Sequence, residues 1–347
     1  MKPLPRSIQR LLMLALLIAC VVVPLGAFVR LSDAGLGCPD WPGCYGQLSP
    51  AHARDVIVDI HSADPYGPVS MAKAWKEMIH RYLAAGLGGV ILLLCITAWR
   101  RRLSLSSRMI STLLLLAVVV QGLLGMWTVT LLLKPVIVSL HLIGGMLIVA
   151  MLAALASQRF LPPHGAAWWQ RVLAWALVVA LIAQILLGGW VSSNYAALAC
   201  EGFPQCNGQW QPAEMRFDHA FHLTRELGMA PDGGLLSFGH LVAIHWIHRI
   251  GAVLVSLLLL LLVWCGRHQP DWQGQRRILL SLWLLQIALG VANVVLGLPL
   301  ALAVAHNAGA MLLLASALTL ALRFTSPLSA AVAVRARRFA RLSGEQA

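Results

Sequence analysis

Charge is what this chain has least of. Only 13 of its 347 residues are Asp or Glu, and the four charged types together make up 11%. Soluble domains carry about 25%. So few charges cannot cover a water-facing surface, which excludes a soluble globular protein. A short cleavable leader is not expected either. Lys2 and Arg6 precede an apolar run, and Leu17-Ile18-Ala19-Cys20 resembles a lipoprotein cleavage site. The run continues to Val29, too long for a cleaved segment, so an uncleaved first span is expected.

What the chain has instead is apolar length: 59% of it is hydrophobic. Eight runs are long enough to span a bilayer, at about 10–30, 78–99, 107–130, 136–157, 170–192, 241–264, 277–297 and 300–323. About 20 residues at about 1.5 Å each cover a hydrocarbon core of about 30 Å. The predicted fold is an all-α polytopic membrane protein with eight transmembrane helices, in contact with lipid. The formal charge of +13 invites a nucleic-acid reading, but the placement of the basic residues excludes it. Seventeen of the 26 Lys and Arg fall in the N-terminus, the 100–108 loop, Arg159 with Arg171, the Arg267–Arg277 turn and the tail from Arg323. The positive-inside rule then puts both termini in the cytoplasm. The long loops 31–77 and 193–240 face the other side of the inner membrane.

The second half repeats the first. Gln286, Gly290 and His306 follow Gln121, Gly125 and His141 by 165 residues. The cysteines recur at 162 and the key histidines, His80 and His248, at 168. An even number of spans in each half makes the repeats parallel. The expected organisation is two four-helix halves, 1–157 and 170–323, with a linker at 158–169 and a basic tail at 324–347.

The second run opens with Glu77-Met78-Ile79-His80-Arg81, and the sixth holds His245-Trp246-Ile247-His248-Arg249. Ionisable groups are costly in lipid and read first as functional there. Counting from His80 to Trp99, His141 to Ser157, His248 to Trp264 and His306 to Arg323 gives 16–19 residues. All four imidazoles therefore sit at similar depth, about 24–28 Å from the cytoplasmic edge. His80 with His141, and His248 with His306, form two pairs suited to axial haem ligation. A zinc site would need three ligands converging on one ion, and the repeat separates these four. Arg81 and Arg249 are placed to meet haem propionates. Glu77 has no acidic counterpart, because His245 takes its place. Chemistry is therefore expected in the first half and a bound redox cofactor in the second.

Cys38 and Cys44, and later Cys200 and Cys206, lie six apart in the long loops. In an oxidising compartment they read first as disulfide staples, with a redox role for Cys38–Cys44 as the alternative. Metal binding is disfavoured, since no histidine closely flanks either pair. Cys20, Cys95 and Cys265 are expected to be inert thiols. His219, His222, Arg225 and Glu226 lie in a stretch, 211–240, without a counterpart in the first half. A surface or interfacial helix is expected there, with His219 and His222 on one face.

With these residues in hand, the chain resembles the haem A synthase family. The likeness covers about 10–323. It rests on Arg30-Leu31-Ser32-Asp33-Ala34-Gly35-Leu36-Gly37-Cys38-Pro39-Asp40-Trp41-Pro42 with Cys44, on Glu77-x-x-His80-Arg81, and on His141, His248 and His306. The resemblance implies oxidation of a haem O methyl to a formyl group, giving haem A for terminal oxidases. It implies haem B on His248 and His306, and haem O handled near His80, His141 and Glu77. Both cysteine pairs match members that keep them, whereas 207–240 departs from the family pattern. The haem O-producing farnesyltransferase is the expected partner; the electron donor and any homo-oligomer are left open. The competing readings are a di-haem b-type cytochrome for quinol-linked electron transfer and a thiol–disulfide exchanger.

Overall fold

A computed structural model describes residues 5–157, 166–231 and 233–325. Most of the expected linker at 158–169, and the tail beyond Thr325, lie outside these residues. Among the described residues nine α-helices form: α1 (Arg6–Leu31), α2 (Arg54–Ala63), α3 (Met71–Arg100), α4 (Leu105–Thr130), α5 (Pro135–Ser157), α6 (Trp168–Ser193), α7 (Phe238–Cys265), α8 (Gln273–Val295) and α9 (Leu300–Thr325). All but α2 are long and apolar enough to cross a membrane. Among the described residues the only β-pairing is in isolated bridges.

The spans begin where the chain supplies a start signal. The Ser70 and Ser104 hydroxyls accept from the Lys73 and Ser107 amides at the heads of α3 and α4. Pro135 opens α5, where a missing N–H costs nothing. Helix α3 starts at Met71, seven residues before the expected apolar run, so Glu77 and His80 lie inside the helix rather than at its mouth.

Helix α1 packs on α3 and α5, α3 on α4, and α4 on α5, closing a ring of four. In the second half α6 packs on α7 and α9, and α8 on α9, while α7 and α8 make little contact. The two sets meet through α5 against α9 and α6, and α1 against α9. One apolar core runs through this seam, with Ala15, Ala19, Val149, Leu152, Leu314 and Leu320 buried in it. Small side chains at the seam let helix backbones approach, the usual basis of association in lipid.

A polar clasp ties α1 to the end of α6. Arg30 donates to the Ser192 carbonyl at 3.0 Å and to the Tyr195 hydroxyl at 3.2 Å, and its guanidinium lies 4.4 Å from the Tyr195 ring centre. Tyr195 in turn donates to Asp33 at 2.9 Å. Burial raises the Tyr195 phenol above its ordinary pKa, which keeps the proton available for that bond.

The long loops hold one element that the sequence reading did not address and one that corrects it. The first loop contains a helix, α2, with Ile57 buried and Val56, Val58 and Ile60 exposed. The expected helix in 211–240 is not found: among the described residues the stretch is not helical before Phe238. Pro212, Pro231, Gly228 and Gly233 break it, and its polar side chains go to local partners. His222 meets Thr224, while Asp218 joins His240 at 3.0 Å and lies 3.6 Å from His219.

The clasp should behave as one unit. Arg30→Ala is expected to cost about 2 kcal/mol and Tyr195→Phe about 1 kcal/mol. Thermal unfolding of the detergent-purified double variant should show less than the sum, since the two groups share partners. Strict additivity would show that they act independently.

Candidate functional site

Each of the four conserved-spacing histidines meets a glycine on a neighbouring helix. A Cβ on Gly26 would lie 2.8 Å from His80 Cε1, on Gly125 3.2 Å from His141, on Gly188 3.1 Å from His248 and on Gly290 3.1 Å from His306. Real Cβ atoms rarely approach so closely, so a side chain at Gly26 would force the His80 ring to shift, and one at Gly125, Gly188 or Gly290 would crowd its histidine. Helix α1 thus faces α3, α4 faces α5, α6 faces α7 and α8 faces α9, each pair around one imidazole. The rings of His80 and His141 stand 6.5 Å apart, centre to centre, with planes at 86°. His248 and His306 lie within electrostatic reach of each other. The Nδ1 atoms of His80, His141 and His306 are buried without a well-formed hydrogen bond.

Glutamines complete three of these contacts. Gln184 Nε2 donates to the His248 carbonyl at 2.9 Å and sits 3.1 Å from its Nδ1. Gln286 Nε2 donates to the His306 carbonyl at 3.0 Å and lies 3.3 Å from its ring. Gln121 fills the equivalent notch against Gly144. Gln184 and Gly188 extend to a third helix pair the signal seen at Gln121/Gly125 and Gln286/Gly290: Gln-x-x-x-Gly on one helix and His-x-x-Gly on the next.

Glu77 is 4% exposed, one turn from His80. The Cys38 amide donates to its Oε2 at 3.0 Å, and Arg81 pairs with its Oε1. The terminal nitrogens of Arg81 also donate to the carbonyls of Cys38, Asp40 and Gly43. Arg249 donates to Cys200, Gly202 and Gln205 carbonyls and, through Nε, to His245 at 3.3 Å. These arginines thus hold the loops, a use in addition to the propionate contacts expected of them. A tight loop leaves carbonyls without ladder partners, and a buried guanidinium is a strong source of donors for them. The disulfides Cys38–Cys44 and Cys200–Cys206 close both loops, with Cα atoms 4.8 and 4.6 Å apart. Cys20, Cys95 and Cys265 are free. Among the described residues no three His, Cys, Asp or Glu side chains converge as metal ligands.

A family model described as cytochrome oxidase assembly protein (COX15-CtaA) matches residues 9–318. The chain belongs to this family. It is an integral membrane protein, as the eight apolar helices require. A heme A synthase from Shewanella oneidensis is 39% identical over 314 residues, covering 89% of this chain and 94% of its own. One from Chelativorans sp. is 30% identical over 328 residues, covering 85% and 86%. One from Shouchella clausii is 26% identical over 269 residues, covering 75% and 76%.

The notches give a sign test. Gly26→Ala drives a methyl into the His80 ring and should cost about 1–3 kcal/mol by overpacking. Gly86→Ala, on α3 with open space around it, should be neutral or stabilise by up to about 1 kcal/mol. Unfolding curves that fail to separate the two variants would remove the steric role of the notch.

Proposed function

We propose that this protein is a heme A synthase: it oxidises a methyl group of haem O to the formyl group of haem A. The observation that carries the reading is the His80–His141 pair, 6.5 Å apart and one turn from a buried carboxylate, in a chain of this family. Two imidazoles sharing one iron, each bonded at about 2 Å, have ring centres roughly 6 Å apart, so this pair fits an iron porphyrin. The glycine notches support the same reading, since they hold the rings in place and leave their edges to face each other.

On this reading the N-terminal half, 1–157, takes haem O as substrate between His80 and His141. The C-terminal half, 170–323, holds haem B on His248 and His306. When bound, haem B supplies one-electron transfer. Each of two hydroxylations of the substrate methyl would take a hydroxyl from water and release two protons and two electrons, the electrons leaving one at a time through haem B to an external one-electron acceptor; the resulting geminal diol loses water to leave the aldehyde. Glu77 faces this chemistry in one half only, because His245 stands in its place in the other. Its carboxylate stabilises positive charge that develops at the methyl carbon, or takes up the released proton. Arg81 holds both the carboxylate and the Cys38–Cys44 loop, and so sets where Glu77 points. Propionates are met by the donors that Arg81 and Arg249 have left after their loops.

The protein sits in the bacterial inner membrane with both termini in the cytoplasm, as the basic residues imply, and the disulfide loops face outward. Haem O arrives from the farnesyltransferase that makes it. The alternative, a di-haem b-type cytochrome for quinol-linked electron transfer, leaves the one-sided acid without a use, and family membership favours methyl oxidation.

Pigments extracted from the purified protein should contain haem O or haem A together with haem B. Haem B alone at both sites would favour the cytochrome. Glu77→Gln keeps an acceptor for the Cys38 amide and removes the charge. It should retain both haems while conversion falls about 10²–10⁴-fold, the usual share of a proton-transfer group. Unchanged conversion would end the role given to Glu77.

A further inference from the structure

We propose that His80 is the labile imidazole of the set, the one that leaves iron, while His141, His248 and His306 remain bound. The inference rests on the reading of these four histidines as haem ligands. A metal centre held by two imidazoles in a porphyrin has no open position, so chemistry at the substrate's iron requires one ligand to go. The fold marks which.

Three of the four helix pairs share one fitting. A glutamine lies four residues before the notch glycine, as in Gln121/Gly125, Gln184/Gly188 and Gln286/Gly290. A second glycine lies three residues after the histidine, as in Gly144, Gly251 and Gly309. Each of those glycines leaves no room for a Cβ because the glutamine amide fills the space. From there Gln184 and Gln286 donate to the carbonyl of the histidine itself and touch its ring. Helix, ring and neighbouring helix are thereby locked together.

The fourth pair lacks both parts. Val22 stands four residues before Gly26, where the others have glutamine, and Leu83 stands three after His80, where the others have glycine. No glutamine reaches the His80 carbonyl or ring, and its Nδ1 is buried without a well-formed bond. Gly26 walls the ring on one side, and its polar contact on α1 is the Val22 carbonyl, with no glutamine side chain added. Moving His80 breaks no glutamine bond, only the ring's contact with the Val22 carbonyl, whereas moving His248 or His306 breaks the bond from Gln184 or Gln286 to the histidine's own carbonyl. In the step itself the bond from iron to the imidazole breaks and the nitrogen lone pair returns to the ring. No net electron is transferred. The residue that departs is also the one beside Glu77, so the opening and the acid share one side of the site.

Carbon monoxide tests this on the full-length protein in detergent, carrying two haems per chain and topped up with protohaem where purification leaves a site short. After reduction, uptake read by absorption should occur at one haem only. Val22→Gln with Leu83→Gly installs the missing fitting and should weaken that uptake about tenfold or more, the usual scale for outer-shell partners of a metal ligand. Gln184→Val with Gly251→Leu removes it from α6 and α7 and should make the second haem reactive. Two inert haems, two equally reactive haems, or uptake that neither double variant changes would each overturn the proposal. If the first double variant does not fold, the second decides: a second haem that stays inert overturns it. Failure of the underlying reading shows earlier and separately, as a wild-type spectrum without bis-imidazole bands before any gas is added.

Discussion

A buried imidazole needs room, and here a residue without a side chain leaves it. Four times in this protein the ring of a histidine rests against the α-carbon of a glycine on the adjoining helix. That constraint fixes which helices pair, how close they come and which way each ring faces. The seam between the two sets of helices then fills with alanine, valine and leucine. The clasp of Arg30, Asp33 and Tyr195 joins α1 to the end of α6, one turn beyond the two notches at Gly26 and Gly188.

The loops depend on the same helices. Arg81 and Arg249 follow their histidines directly and hold the two disulfide loops by their carbonyls. The fitting is alike in both halves, yet the residue beside the guanidinium differs. In one half it is Glu77, which also takes the Cys38 amide; in the other it is His245. A duplicated scaffold with one acid suits a division between a reacting site and an electron-carrying site. The missing glutamine at His80 falls on the acid's side of that division.

Much of this was legible in the residues because lipid enforces simple rules. Eight apolar runs of about the right length became eight helices, since backbone groups in hydrocarbon must bond internally. The constant offset between His141 and His306 flagged the paired imidazoles. Short-range competition was harder to read. Helix α2 and the irregular 211–237 stretch are decided by local prolines, glycines and partners such as Asp218 with His240. The hold of Arg81 on its loop was not legible because loop carbonyls needing donors cannot be counted before the loop is folded. Of the notch glycines, Gly125 and Gly290 showed through their repeat with Gln121 and Gln286, whereas Gly26 and Gly188 did not, because a glycine in an apolar run carries no chemistry of its own.

Low-temperature electron paramagnetic resonance of the oxidised, purified full-length protein tests the central claim most directly. Two low-spin bis-imidazole signals are expected, one lost on changing His80 or His141 and the other on changing His248 or His306. Signals that survive those changes, or haem iron without paired imidazoles, would contradict the account.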